Sequence, residues 1–289
     1  MSVQVFAPAK INLTLEVGRP RADGMHPLQS VVVFADIGDI VTAEAGDGLS
    51  LRITGGFADQ LSDGDADNLV LCAAHALARS VGVQANAKIT LEKNLPVASG
   101  IGGGSSDAAA ALRALNDLWG LGCGAAQLQA IARELGSDVP VCLAGMPAWM
   151  TGLGEVWTPM RAPAFAAVLV NPMRELSTPL VYREFDRQGL GGDLSRFETP
   201  QWRDRTHALS DIVATDNALT AAASALVPDI AVIIEILRND ARVEHAAMSG
   251  SGATCFALVD DLPAAEALAT DLRAAHPDWW IIETELGGA

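Results

Sequence analysis

Fifteen residues constrain this chain more than any others: Leu95-Pro-Val-Ala-Ser-Gly-Ile-Gly-Gly-Gly-Ser-Ser-Asp-Ala-Ala109. A glycine run passes directly into an alanine-rich segment that favours helix. Glycine lets backbone N–H groups converge without Cβ clashes. A helix start adds unpaired donors and a partial positive charge. Together they suit an anion such as a triphosphate, with Ser105 and Ser106 placed to cap the helix. Two familiar phosphate loops do not fit. A Walker A loop needs Gly-Lys-Ser/Thr, and no Lys follows these glycines. A Rossmann loop needs Gly-x-Gly-x-x-Gly straight after a strand. Gly100 and Gly102 match, but Ser105 stands third and Pro96 interrupts the approach.

The surrounding pattern is mixed. Short β-branched runs at 3–6, 11–17, 29–35, 40–44 and 49–54 read as strands separated by Gly, Pro and Asp. In 11–17 the apolar Ile11, Leu13, Leu15 and Val17 alternate with Asn12, Thr14 and Glu16, which predicts a half-buried strand. Helical spacing marks 68–81 with Asp67 as N-cap, then 107–119 stopped by Gly120, and 125–135 stopped by Gly136. Further strands are expected at 87–91, 165–170, 243–248, 254–259 and 280–284, and helices at 179–188, 230–238 and 264–275. Without a strict βαβ rhythm, this mixture predicts an α+β fold. A Gly- and Pro-rich stretch near 150–162 places a domain boundary there, giving domains 1–155 and 156–289, and the polar stretch 189–205 reads as a surface loop.

Composition narrows the partners. A formal net charge of -16 disfavours nucleic acid, whose binding needs a basic face. Cys72, Cys123, Cys142 and Cys255 form no Cys-x-x-Cys pair, and the expectation is buried thiols in a reducing compartment. The start MSVQVFAPAK has no signal-peptide pattern, and the apolar stretch 219–237 is broken by Pro228, Asp229 and Glu235. The expected location is cytoplasmic, away from membranes.

Three shorter segments accompany the glycine loop. Pro8-Ala-Lys10-Ile-Asn12 could be no more than a solvated strand end. Leu135-Gly-Ser-Asp138-Val-Pro140 could place an Asp to cap the next turn. Met248-Ser-Gly-Ser-Gly-Ala-Thr254 could be an ordinary glycine hairpin. Taken together and in this order, the four segments resemble the GHMP kinase superfamily, which includes galactokinase, homoserine kinase and mevalonate kinase. One branch fits best: the kinases acting on a cytidine-diphosphate-linked methylerythritol. It is resembled by PAKINLTLEVGRPRADGMHPLQSVV, LPVASGIGGGSSDAAAAL, LGSDVPVCLAG and MSGSGATCFAL, and the likeness runs from residue 5 to about 260.

The resemblance implies a two-domain GHMP kinase fold. Its N-terminal domain is ribosomal-protein-S5-domain-2-like and its C-terminal domain is a ferredoxin-like α/β sandwich. It implies ATP-dependent phosphorylation of a small-molecule alcohol, at the C2 hydroxyl of the methylerythritol, in the non-mevalonate route to isoprenoids. Lys10 and Asp138 match the branch's catalytic pair. Pro96, Val97, Ala98, Ser99, Gly100, Ile101, Gly102, Gly103, Gly104, Ser105 and Ser106 match its ATP loop, and Asn68 and Lys93 its adenosine contacts. Asn12, Met25, His26, Thr178, Tyr182, Gly250, Ser251 and Gly252 fall at substrate positions. Mg²⁺ is the implied metal, with Ser105 and Ser106 as its ligands and Asp107 as a weaker one, or else a residue that only favours the helix N-terminus. The implied assembly is a monomer or weak homodimer. Met25 departs from the branch, which commonly carries Tyr there to stack on cytosine. A homoserine or mevalonate kinase, a GHMP-type decarboxylase and a non-catalytic binding protein remain the alternatives. ADGMH argues against the first, and the retained loop and Asp138 argue against the last.

Overall fold

A computed structural model of the chain describes residues 2–62, 67–194 and 199–288. Its strands are β1 (Ser2–Asn12), β2 (Glu16–Val17), β3 (Leu28–Glu44), β4 (Leu49–Thr54), β5 (Ala87–Glu92), β6 (Ala148–Thr151), β7 (Val156–Pro159), β8 (Phe165–Asn171), β9 (Val243–Met248), β10 (Cys255–Val259) and β11 (Trp280–Leu286). Its α-helices are α1 (Leu69–Val81), α2 (Gly103–Leu118), α3 (Ala125–Leu135), α4 (Val139–Ala144), α5 (Thr178–Arg187), α6 (Arg205–Thr215), α7 (Thr220–Leu226), α8 (Asp229–Arg238) and α9 (Leu262–Ala275). Two compact units emerge: residues 1–9, 37–97 and 102–145 form unit 1, and 10–36, 98–101 and 146–289 form unit 2. These units are not the consecutive spans 1–155 and 156–289, because two early segments are counted with the C-terminal half.

In unit 1, β4 runs parallel to β5, and β5 pairs antiparallel with β3 from Ile40↔Glu92 to Glu44↔Lys88. Helices α1 to α4 pack together beside these strands. Helix α2 buries Ala108, Ala109, Ala110, Ala111 and Ala114 with Leu112 and Leu115. Small side chains bring neighbouring backbones close while keeping high helix propensity. Asn68, and not the expected Asp67, caps α1: its side chain accepts the amide of Val70 at 2.9 Å.

Unit 2 is built on the antiparallel order β11-β8-β10-β9. By chain order within this group that is fourth, first, third, second. Helices α5 to α8 lie between the first two strands in sequence, and α9 precedes the last. This is the ferredoxin-like βαββαβ arrangement that the family resemblance implies. Its core joins Val168, Val170, Phe185, Ile230, Ile233, Leu237, Met248, Leu268 and Leu272.

Two expectations are corrected. The segment 11–17 is not a half-buried strand. β1 ends at Asn12, and the polar Asn12 and Thr14 are as buried as their apolar neighbours. The reason is local bonding: Asn12 Nδ2 donates to Ser30 Oγ at 2.7 Å, and Thr14 Oγ1 accepts the Val31 amide at 3.0 Å. The two strands expected at 29–35 and 40–44 are one, β3, running unbroken through Asp36, Gly38 and Asp39. A Cβ on Gly38 would sit 2.2 Å from the Ala7 carbonyl, so this glycine serves a close approach and not a turn. The stretch 150–162, where a domain boundary is expected, carries the hairpin of β6 and β7, paired from Ala148↔Pro159 to Thr151↔Val156. The expected loop 189–205 lies partly outside the described residues. Among the described residues no helix is long and apolar enough to cross a membrane.

Candidate active site

Unit 1 holds both ends of the glycine-rich loop. The Val97 amide donates to Gln60 Oε1 at 3.0 Å. Helix α2 opens after Gly102, whose φ of 64° is left-handed, and no side chain caps it. Ser105 and Ser106 therefore lie inside the first turn and not at its cap, contrary to expectation. The first-turn amides keep the polarity that favours an anion.

Behind this turn lies an ion cluster. Lys93 Nζ donates to Asp107 Oδ2 at 2.8 Å and to Asp39 Oδ2. Asp39 Oδ1 accepts the amides of Asn94 at 2.6 Å and Leu95 at 2.8 Å. All three charged groups are buried. Burial pushes the Asp107 carboxyl up to about 7, against the lowering effect of the Lys93 charge. Burial alone would lower Lys93, but Asp107 and Asp39 outweigh it and hold the ammonium above its ordinary value. Asp107 is not at the helix start, as first read, but within α2. Its Oδ1 and the Ser106 Oγ are buried, with no hydrogen-bond partner among the described residues. Two such oxygens suit a hard cation such as Mg²⁺. Among the described residues no cluster of three or more His, Cys, Asp and Glu side chains is arranged for a metal, so phosphate oxygens would have to complete any such site.

Asp138 stands at the N-cap of α4, half-buried. Its side chain does not cap that helix, contrary to the simplest sequence reading, although its carbonyl accepts the Cys142 amide at 3.1 Å.

Unit 2 gathers the remaining candidates. Lys10 is 4% exposed, so it is not a solvated strand end, and its amide donates to the Ile101 carbonyl at 2.9 Å. Asn12 donates its amide to Ser249 Oγ at 3.1 Å, while its own Oδ1 is buried with no hydrogen-bond partner among the described residues. The hairpin between β9 and β10 carries Gly250, Ser251 and Gly252. It abuts residues 98–101: a Cβ on Gly100, whose φ is 77°, would lie 2.6 Å from the Gly252 and Ser249 carbonyls. Thr178 Oγ1 meets Ser251 Oγ at 2.7 Å.

A second group in unit 2 surrounds His26. Nδ1 lies 2.9 Å from the Gly18 carbonyl and Nε2 lies 3.1 Å from Asp186 Oδ1. The Tyr182 ring is tilted over His26 at 5.1 Å, and Phe185 meets it edge-on at 5.7 Å. Met25 is 52% exposed, and a turn fixes its backbone: its carbonyl accepts the Arg21 amide at 2.8 Å, and its amide donates to Asp23 Oδ1 at 3.0 Å. Sequence reasoning missed Asp39, Asp186, Phe185, Asn217 and Ser249. Only Ser249 sat inside a motif already singled out.

Comparison with known proteins adds what the geometry lacks. The description "GHMP kinases N terminal domain" matches residues 68–146, and "GHMP kinases C terminal" matches 205–278. A protein of Paramagnetospirillum magneticum named 4-diphosphocytidyl-2-C-methyl-D-erythritol kinase is 45% identical, covering 99% of both chains. One of Parvibaculum lavamentivorans with the same name is 47% identical over 98% of this chain and 97% of its own. A crystal structure of 4-(cytidine 5'-diphospho)-2C-methyl-D-erythritol kinase superposes with a TM-score of 0.80 at 32% identity, over 99% of this chain and 100% of that one.

Proposed function

The chain belongs to the 4-diphosphocytidyl-2-C-methyl-D-erythritol kinase branch of the GHMP kinases, and on that premise we propose that it transfers the γ-phosphate of ATP to the C2 hydroxyl of 4-diphosphocytidyl-2-C-methyl-D-erythritol, in the non-mevalonate route to isoprenoids. The observation that carries this is identity of 45–47% along almost the whole chain to relatives bearing that name.

Phosphoryl transfer has a loose transition state, so positioning and charge stabilisation dominate. The segment from Pro96 to Ser106 is the ATP loop, and the amides that open α2 at Gly103 and Gly104 meet the phosphates. Asn68 spends its side-chain oxygen on the cap of α1, which leaves its Nδ2 for the nucleotide. Lys93 acts on the adenosine side through helix α2, which it anchors by way of Asp107. By the family resemblance, Asp138 is assigned as acceptor of the hydroxyl proton, and Lys10 as the second member of the catalytic pair. A late-leaving proton needs only a weak carboxylate base. Asn12 offers its Oδ1 to the substrate, while His26, Met25 and Tyr182 meet the cytosine and Thr178 and residues 250–252 close around the rest. Mg²⁺ would be held by Ser106 and Asp107, with Ser105 beside them, and it supplies positive charge at the β- and γ-phosphates when bound.

We further propose a monomer or weak homodimer in the cytoplasm, with chain-order domains meeting near residue 155, between the two spans matched by the family descriptions.

The site of transfer is testable by phosphorus NMR of the product. C2 carries a methyl group and no hydrogen, so a phosphomonoester there shows no three-bond splitting by a proton. A split signal would place the phosphate on another hydroxyl and refute this assignment.

A further inference from the structure

Asn217 lies in unit 2 and is 6% exposed. Its Nδ2 donates to the Met248 carbonyl at 2.7 Å and the Gly250 carbonyl at 2.8 Å, and its Oδ1 accepts the Leu219 amide at 2.9 Å. A carboxamide offers two N–H donors and an acceptor from one planar head, and here every function is engaged. The backbone around it is fixed as well. Ala218 donates to the Leu15 carbonyl at 2.8 Å, and Leu15 donates to the Asp216 carbonyl at 3.2 Å. Asp216 adopts φ 53°, an uncommon value for a residue other than glycine. Its carboxylate accepts the Asn217 amide at 2.8 Å and meets Arg238 at 3.2 Å.

The turn that Asn217 grips connects several proposed site residues. Ser249 Oγ accepts the Asn12 amide at 3.1 Å and donates to the Gly100 carbonyl at 3.1 Å. The Thr254 amide donates to the Ser99 carbonyl at 3.1 Å. Ser251 meets Thr178 at 2.7 Å. One side chain thus stands a single bond away from the piece that orders Asn12, Thr178 and part of the phosphate loop.

We propose that Asn217 is a positioning residue for phosphoryl transfer: its two donors set the 249–254 turn, and the turn sets Asn12, Thr178 and residues 99–101. The proposal rests on the kinase reading above. Met248 and Gly250 present backbone carbonyls, which no substitution at their own positions removes, so the geometry depends on the donor at 217. Aspartate has the same shape but turns carboxylate oxygens toward those two carbonyls and loses both donors.

The test is Asn217→Asp in the full chain, assayed well below its melting temperature, with native-state hydrogen exchange on the same sample. A displacement of about 1 Å in a reacting constellation costs on the order of 100-fold, so kcat per folded enzyme should fall by roughly 10- to 100-fold. The Asn12 and Thr254 amides should exchange about tenfold faster or more, while amides of the β8–β10 ladder keep their protection. A kcat within about twofold of the parent on folded protein would overturn the proposal, given the size expected of misplacement. So would acceleration spread evenly over ladder and turn. Should the Asp variant not fold, the same two readouts on Asn217→Ser, which retains one donor, decide. Absence of turnover by the parent enzyme would sink the kinase reading instead, and the exchange comparison would still test whether Asn217 sets the turn.

Discussion

A carboxylate at a helix start commonly caps it, and Asp138 stands at such a start without capping. Capping is therefore not its role, and the family resemblance assigns it proton acceptance. Asp138→Asn should lower kcat by roughly 10² to 10⁴, the usual worth of a positioned base. Steady-state kinetics on folded variant protein checks this, and a nearly unchanged kcat would remove Asp138 from the mechanism. Met25 gives a second prediction at this scale. Its thioether sits where the branch commonly carries Tyr, and a thioether constrains a ring less than a second ring does. Met25→Tyr should lower the KM for the cytidylated substrate by about two- to tenfold, the range of one added aromatic pair. An unchanged KM would mean that residue 25 does not meet the base. Lys10, Asn12 and Asp138 stood out in the sequence because they sit inside short motifs. Asp39 and Asn217 did not, because their partners lie 55 and 31 positions away in the chain. Nothing local distinguishes a buried Asp after glycine from a turn residue.

At the scale of elements, α1, α2, α3, α5, α8 and α9 followed the apolar spacing, α4, α6, α7 and the β6–β7 hairpin were not expected, and the errors in the early strands share one cause. Asp, Gly and Asn read as punctuation when exposed, yet they continue or end a strand differently when buried with partners. In β3, Asp36 accepts a hydrogen bond from Thr284 Oγ1 and the Glu285 amide at 3.0 Å, and Asp39 accepts from Lys93, so the strand runs through both. The Lys93 cluster ties α2 to β3 and to the residues after β5. Removing one partner of a buried ion pair leaves uncompensated charge and typically costs 3–5 kcal/mol. Lys93→Met should therefore lower unfolding stability by about 3 to 5 kcal/mol, measured by urea titration. A loss below about 1 kcal/mol, the level of an exposed pair, would show that the cluster is not acting as a buried ion network.

At the scale of the whole molecule, the strand order of unit 2 could not be read from spacing alone, since periodicity identifies strands and not their neighbours. The resemblance carried that expectation, and β11-β8-β10-β9 agrees with it. The compact units were less legible. Residues 10–36 and 98–101 return to unit 2 from early in the chain, and a Gly- and Pro-rich stretch marks only where composition changes. The central claim concerns the substrate, and ADP release tests it most directly. Purified protein with ATP and Mg²⁺ would be assayed against 4-diphosphocytidyl-methylerythritol, mevalonate and homoserine in parallel. Turnover with the cytidylated alcohol alone is the predicted result; turnover with another alcohol in its place, or with none of the three, would contradict it.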